Sequence, residues 1–138
     1  MMLREASISE LSSKDIPRQN RILVNRGRGH DELAPSEELF EDFSARRKVL
    51  ESEFRKGSAE AHNHAFVDSR FEERFREQIE GDGTAMAQLE TMARRSAAED
   101  LYLVCYEGPG KACHRRILMR IAAQRFGADV EVVGVEPS

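Results

Sequence analysis

Apolar positions along this chain follow two periods. "LYLVCY", residues 101 to 106, is apolar on both alternating faces, the pattern of a central strand covered on both sides. "RILVNR", residues 21 to 26, is a compact apolar run ended by the glycines of "GRGH", and "VEVVGV", residues 130 to 135, reads as a further strand. Near the start, Ala6 and Ile8 alternate weakly before the chain turns polar, which predicts a short edge strand followed by a loop containing Pro17. Helical spacing dominates elsewhere. Pro35, the capping residue Ser36 and the acids Glu37 and Glu38 open a helix with Leu39, Phe40, Phe43, Leu50 and Phe54 largely on one face, stopped by Gly57. "SAEAHNHAFV", residues 58 to 67, reads as a connector, after which Asp68 caps a helix carrying Phe71, Phe75 and Ile79 at four-residue spacing and ended by "GDG". Another helix, from Thr84 to about Ala97, turns Leu89, Met92 and Ala93 inward. A last helix begins near Cys113, carries Ile117, Leu118, Ile121 and Ala122, and ends at Gly127.

A strong strand, a short loop, a helix and another strand make a parallel unit. The expected architecture is α/β: a small, mostly parallel sheet flanked by helices on both faces, three-layered and Rossmann-like, with 101–106 central between 21–25 and 130–135. A chain of 138 residues has the size of one domain with a single core. It carries no long uncharged apolar run and no leader resembling a signal peptide, so a cytoplasmic protein with no membrane contact is expected. There, its two cysteines would stay reduced, and reactivity or burial must explain them. A net charge of -4 counts against binding duplex nucleic acid through a wide basic surface and leaves a local basic pocket open.

Both cysteines fall at the junction where strand 101–106 turns into the helix at Cys113. In open α/β sheets, ligands sit beyond the carboxyl ends of the strands. Cys105, Glu107 and the loop "GPGKACHRR" would meet at that edge. Gly108 and Gly110 would let the backbone turn tightly or approach a ligand, and the free N–H groups of the helix start favour an anion. Cys113, at that start, would be the more acidic thiol and the candidate nucleophile, with His114 as base, acid or hydrogen-bond donor. Arg115 and Arg116, joined by Arg26 and Lys111, form the candidate anion-binding set. Two arginines in a first helical turn oppose the helix dipole and so invite an anion, although they would also suit a solvated face. Cys105, inside an apolar strand, equally suits a small core residue.

These residues resemble the domain-of-unknown-function 488 family. Its C-terminal signature is an apolar strand ending in Cys-x-Glu, a variable loop, and Cys-His-Arg opening a helix, here "LVCYE", "GPGKA" and "CHR". "RILVNR" followed by "ELAPSEEL", and "AHNHAFVDSRFEERFREQI", are similar to two upstream segments, so the resemblance spans roughly residues 20 to 125. It marks Cys105, Glu107, Cys113, His114 and Arg115, with His62 and Asn63 as further matches, and it supplies no reaction. Many members carry Asp-Val-Arg in an N-terminal strand. Val24, Asn25 and Arg26 stand here instead, which removes the carboxylate from that position. His62 and His64, two apart, would share a face in a strand but not in a helix, and the Asn between them, Asn63, suits hydrogen bonding to a polar ligand better than metal binding.

Four functions follow. One is a thiol-dependent enzyme on an anionic or phosphorylated substrate, with catalytic residues among Cys113, His114, Glu107 and Cys105. A second is a non-catalytic module for a nucleotide or nucleic-acid end. A third is a reversible Cys105–Cys113 redox pair, and a fourth is a zinc site that would need Glu107 or histidines from elsewhere. The expectation adopted is no metal and no cofactor, with a small anionic ligand as partner. Cys113 should be the reactive thiol, Cys105 the protected one, and the "AHN" segment should lie against the Cys-His-Arg loop.

Overall fold

A computed structural model describes residues 1–134. Its strands are β1 (Leu3–Ser7), β2 (Arg21–Leu23) and β3 (Leu101–Cys105), all parallel, in the order β1–β3–β2. The run that is apolar on both faces is therefore the central strand. Leu101, Leu103 and Cys105 face the main core, while Val104 packs with Ala6 and Ile16 on the opposite face. The register aligns Leu3 with Leu101, Ser7 with Cys105, and Leu23 with Val104.

Segment 130–135 does not flank β3 as expected. Both edges of β3 are taken by β1 and β2, and Val130 instead bridges Leu3, with Leu3 N–H donating to Asp129 O (2.8 Å) and Glu131 N–H to Leu3 O (2.9 Å). Val135 lies outside the described residues. The small parallel sheet packed with helices is the α/β architecture that the sequence predicts. All five α-helices contribute to the main core. The smaller face is covered by the segment after β1, with Ile8, Leu11 and Ile16 packed on Ala6, Val104 and Tyr102.

Helix α1 (Glu37–Leu50) starts as the sequence predicts, with Ser36 Oγ accepting from Leu39 N–H at 3.2 Å, but ends well before Gly57. Phe40, read as inward, is 52% exposed. The stretch read as a connector is helix α2 (Ala59–Asp68), capped by Ser58 Oγ on Ala61 N–H. Its inward face is Ala61, His62, Ala65 and Phe66. That spacing and the Ser58 cap were its local signals; the polar residues between them hid the apolar stripe. Asp68 consequently ends α2 rather than capping the next helix. Arg70, in the left-handed conformation at φ 54°, precedes α3 (Phe71–Glu80). Asp82 caps α4 (Gly83–Ser96), and α5 (His114–Phe126) runs from Cys113 to Gly127, whose φ of 70° suits glycine.

Between β1 and α5 lies a buried ion cluster. Glu5 Oε1 accepts from Arg115 Nε (3.0 Å) and Arg116 Nε (2.9 Å), and its Oε2 accepts from Val133 N–H (3.0 Å). A Cβ built on Gly134 would press against the Arg116 guanidinium, so the chain passes close over the cluster at that residue. Replacing Glu5 with Gln should cost about 3–5 kcal/mol of stability, because two buried guanidiniums lose their carboxylate. Urea unfolding measures it. Glu131→Gln, removing a half-exposed partner of Arg4, should cost no more than about 1 kcal/mol, and equal losses in the two variants would refute the assignment.

Candidate functional site

Parallel pairing brings the carboxyl ends of β2 and β3 to one edge. Val24 N–H donates to Val104 O at 3.0 Å, and Cys105 occupies the last paired position of β3. The chain then passes through Tyr106, Glu107 and residues 108–112 before Cys113, which keeps extended dihedrals (φ -147°, ψ 145°) as the N-cap of α5. Both thiols are buried and free.

His114 organises this edge. Its Nε2 is 2.8 Å from Val24 O, and because a carbonyl only accepts, Nε2 carries the proton. Nδ1 is thereby turned to the sulfurs, 3.7 Å from Cys113 Sγ and 4.0 Å from Cys105 Sγ. Glu107 Oε2 completes the group at 3.2 Å from Cys105 Sγ and 3.4 Å from Cys113 Sγ. The edge of the Phe75 ring faces the imidazole at a centroid distance of 5.5 Å.

Packed so tightly, these groups divide their protons unequally. Burial opposes ionisation of Cys113. The hydrogen bond from Cys105, the neighbouring His114 and the charge of Arg115 overcome it and hold this thiol well below its usual range. Cys105 is pushed up, first by its hydrogen bond to Cys113, then by burial and by the charges on Cys113 and Glu107. Burial, then the Cys113 charge, raises the Glu107 carboxyl. Burial also disfavours the His114 imidazolium, but the Cys113 charge and hydrogen bond and the Val24 carbonyl outweigh it and raise the ring. These directions make Cys113 the more acidic of the two thiols and pair it with His114.

Helix α2 does meet the Cys-His-Arg loop. His62 Nε2 donates to Ala112 O at 2.7 Å, Asn63 Oδ1 accepts from Ala112 N–H at 2.8 Å, and Asn63 Nδ2 donates to Gly110 O at 3.1 Å. Asn63 thus grips backbone, where a polar ligand was expected. Burial holds the His62 imidazole below its ordinary pKa. His64 points elsewhere, stacking obliquely on Phe54 at 5.0 Å, as two histidines two apart on a helix must.

The proposed anion-binding residues separate. Arg115 and Arg116 turn from the sulfurs to Glu5, so the anion that these first-turn arginines call for is a carboxylate of the chain itself. Arg116 also donates to Lys111 O (2.7 Å) and Gly108 O (3.4 Å), so Lys111 and Gly108 enter through their carbonyls. Neither Gly108 nor Gly110 has a positive φ, and a Cβ on either would meet nothing within 4 Å. A tight turn therefore does not require glycine at either position. Arg26 is exposed, with Nη2 donating to Pro35 O at 2.7 Å, and it does line the cavity described next.

That cavity, of about 560 Å³, opens over Cys105, Glu107, Cys113 and His114. Its walls also hold Arg26 and His62, the acids Glu37 and Glu41 and, among residues that sequence reasoning did not assign to a site, Asn25, Phe40, Phe43, Arg47, Phe66 and Tyr106. Asn25 Oδ1 is buried without a hydrogen-bond partner. Arg47 lies 5.5 Å above the Phe43 ring. Only the helical phase of α1 carried a signal for Phe43 and Arg47, and that phase reads equally as core and surface.

Asn63→Ala should free the Ala112 N–H and Gly110 O, costing about 1–3 kcal/mol. Hydrogen exchange should quicken at residues 110–113 while β3 stays protected. Unchanged protection at Ala112 would mean that the loop is held by other contacts.

A search of curated proteins and a search of solved structures each find no match. A family model described as "Active DUF488-N3 subclade" (DUF488-N3a) matches residues 28–125. This span contains His62, Asn63, Cys105, Glu107, Cys113 and His114, and omits Glu5 and Val24. With more than half of its length in that match, the chain belongs to the DUF488 family.

Proposed function

We propose that the cavity is the active site of a thiol-dependent enzyme in which Cys113 is the nucleophile and His114 its proton partner. One observation carries this reading: the Val24 carbonyl holds Nε2–H of His114, leaving Nδ1 facing Cys113 Sγ inside a cavity large enough for a small molecule. The thiolate attacks an electrophilic carbon or phosphorus, a bond to Sγ forms, and the leaving group departs with the proton from Nδ1. Water, giving its proton to the now neutral Nδ1, then cleaves the Sγ adduct. Cys105 donates a hydrogen bond to the thiolate. Glu107, its carboxyl raised by burial, can donate a proton at the same edge.

For an anionic or phosphorylated substrate, the available cations are Arg26 and Arg47 of the wall, since Arg115 and Arg116 are committed to Glu5. Among the described residues no helix is long and apolar enough to cross a membrane, and free thiols suit a reducing cytoplasm. A second reading, a non-catalytic nucleotide or nucleic-acid-end binder, draws on Phe40 and Tyr106, 52% and 62% exposed, as stacking surfaces beside Arg28, whose Nη2 is 3.4 Å from Tyr106 Oη.

Iodoacetamide at neutral pH, followed by peptide mass spectrometry, separates the readings. Cys113 should be modified well before Cys105, and His114→Gln should slow it about tenfold or more by removing the imidazolium that favours the thiolate. Equal rates at the two cysteines, or no effect of His114→Gln, would defeat the nucleophile and leave the binding module.

A further inference from the structure

We propose that Cys105, Cys113 and His114 form a zinc site, and that zinc bound there masks the Cys113 nucleophile. The second half rests on the reading of Cys113 given above; the first half stands on geometry alone. Two sulfurs and one imidazole nitrogen, all buried, lie within 4.8 Å of one another. In a tetrahedral zinc site with usual bond lengths, ligand atoms are separated by about 3.5–3.8 Å. The Sγ–Nδ1 separations of 3.7 and 4.0 Å lie near the upper end of that range and just beyond it, so the imidazole needs only small shifts to share a metal with each sulfur.

A second, independent feature points the same way. Metal-binding histidines characteristically give their other N–H to a carbonyl or carboxylate, which fixes the ring and its tautomer. His114 does so with Val24 O, 2.8 Å away and contributed by the chain 90 residues earlier. Two thiolates and a neutral imidazole are a soft donor set suited to zinc rather than to magnesium or calcium. Charge also balances: two cysteine thiolates and a neutral imidazole bring two negative charges, so a bound zinc ion would leave a neutral centre in a buried place.

Cys105, Cys113 and His114 all border the cavity, which gives the ion an entry path. Three protein ligands leave the fourth position open, with Glu107 Oε2 beside both sulfurs. Zinc therefore competes with any electrophile for Sγ of Cys113. Its loss to a chelator would return the thiolate.

Cobalt(II) is the spectroscopic probe. Added to the reduced full-length protein, it should bind once per chain with a sulfur-to-cobalt charge-transfer band and intense tetrahedral visible bands, both erased by added zinc. Cys105→Ser should roughly halve the charge-transfer intensity. His114→Gln, which keeps both thiols, should weaken zinc binding by at least the 10- to 100-fold, roughly, that losing even an outer partner costs. Circular dichroism verifies that each variant is folded, and wild-type protein alone decides the matter if one is not. One equivalent of zinc should protect Cys113 from iodoacetamide, and EDTA should reverse the protection. Absence of the charge-transfer band overturns the site, as does a band unchanged in folded Cys105→Ser. Cobalt binding without zinc protection of a reactive Cys113 overturns the masking. If Cys113 is inert even without metal, the nucleophile fails and masking with it, while the cobalt spectrum still decides the zinc site.

Discussion

One carboxylate, Glu5, holds the junction in place. It sits in β1, buried, and receives guanidinium N–H groups from both Arg115 and Arg116 in the first turn of α5. Leaving either ion unpaired there would cost several kcal/mol, so the start of α5 is tied to the edge strand at one fixed height. Arg116 extends the tie to the carbonyls of Gly108 and Lys111, and Val133 N–H closes it from the C-terminal side. The N-cap position of Cys113 depends on this anchorage, since a helix starting one residue later would carry both sulfur and imidazole away from Cys105.

The same cluster shapes the electrostatics of the thiols. Both arginines sit in the first turn of α5, beside Cys113. Arg115 is among the causes that lower the Cys113 thiol. First-turn arginines, unfavourable for the helix dipole, are accommodated by Glu5 and repay the strain by favouring a thiolate one residue away. His114 is held from a different side, by β2 through Val24 O and by the edge of Phe75. Sulfur and nitrogen are thus positioned by separate elements, and their separation is a property of the sheet rather than of the loop.

The aromatic cluster of Phe43, Phe66, Phe71 and Phe75 continues from the core to the cavity wall. Phe66 and Phe71 stack at 4.4 Å, and Phe43 meets Phe71 edge-on at 5.7 Å and His62 at 5.0 Å. Such rings keep the interior apolar up to the thiols, so the charges at the site are poorly screened and act strongly on one another. Helix α2 serves both purposes, Phe66 in the wall and Asn63 on the loop.

By itself the sequence determined the elements whose signals are local. The apolarity of residues 101–105 on both faces marked the central strand, Ser36, Cys113 and Gly127 marked helix ends, and the spacing of Cys105, Glu107, Cys113 and His114 across one strand-to-helix turn marked the site. Periodicity and capping act within a few residues, so a single segment carries them. It misplaced α2, where polar residues interrupt the apolar stripe, and 130–135, where a run of valines predicts a strand beside β3 but the described residues make a single bridge, Val130 to Leu3. Tertiary structure alone decided that Arg115 and Arg116 answer to Glu5, 110 and 111 residues away, and that Val24 O selects the His114 nitrogen that faces the sulfurs. Those choices follow from which buried groups must find partners once the sheet assembles, and no local pattern encodes a partner a hundred residues distant.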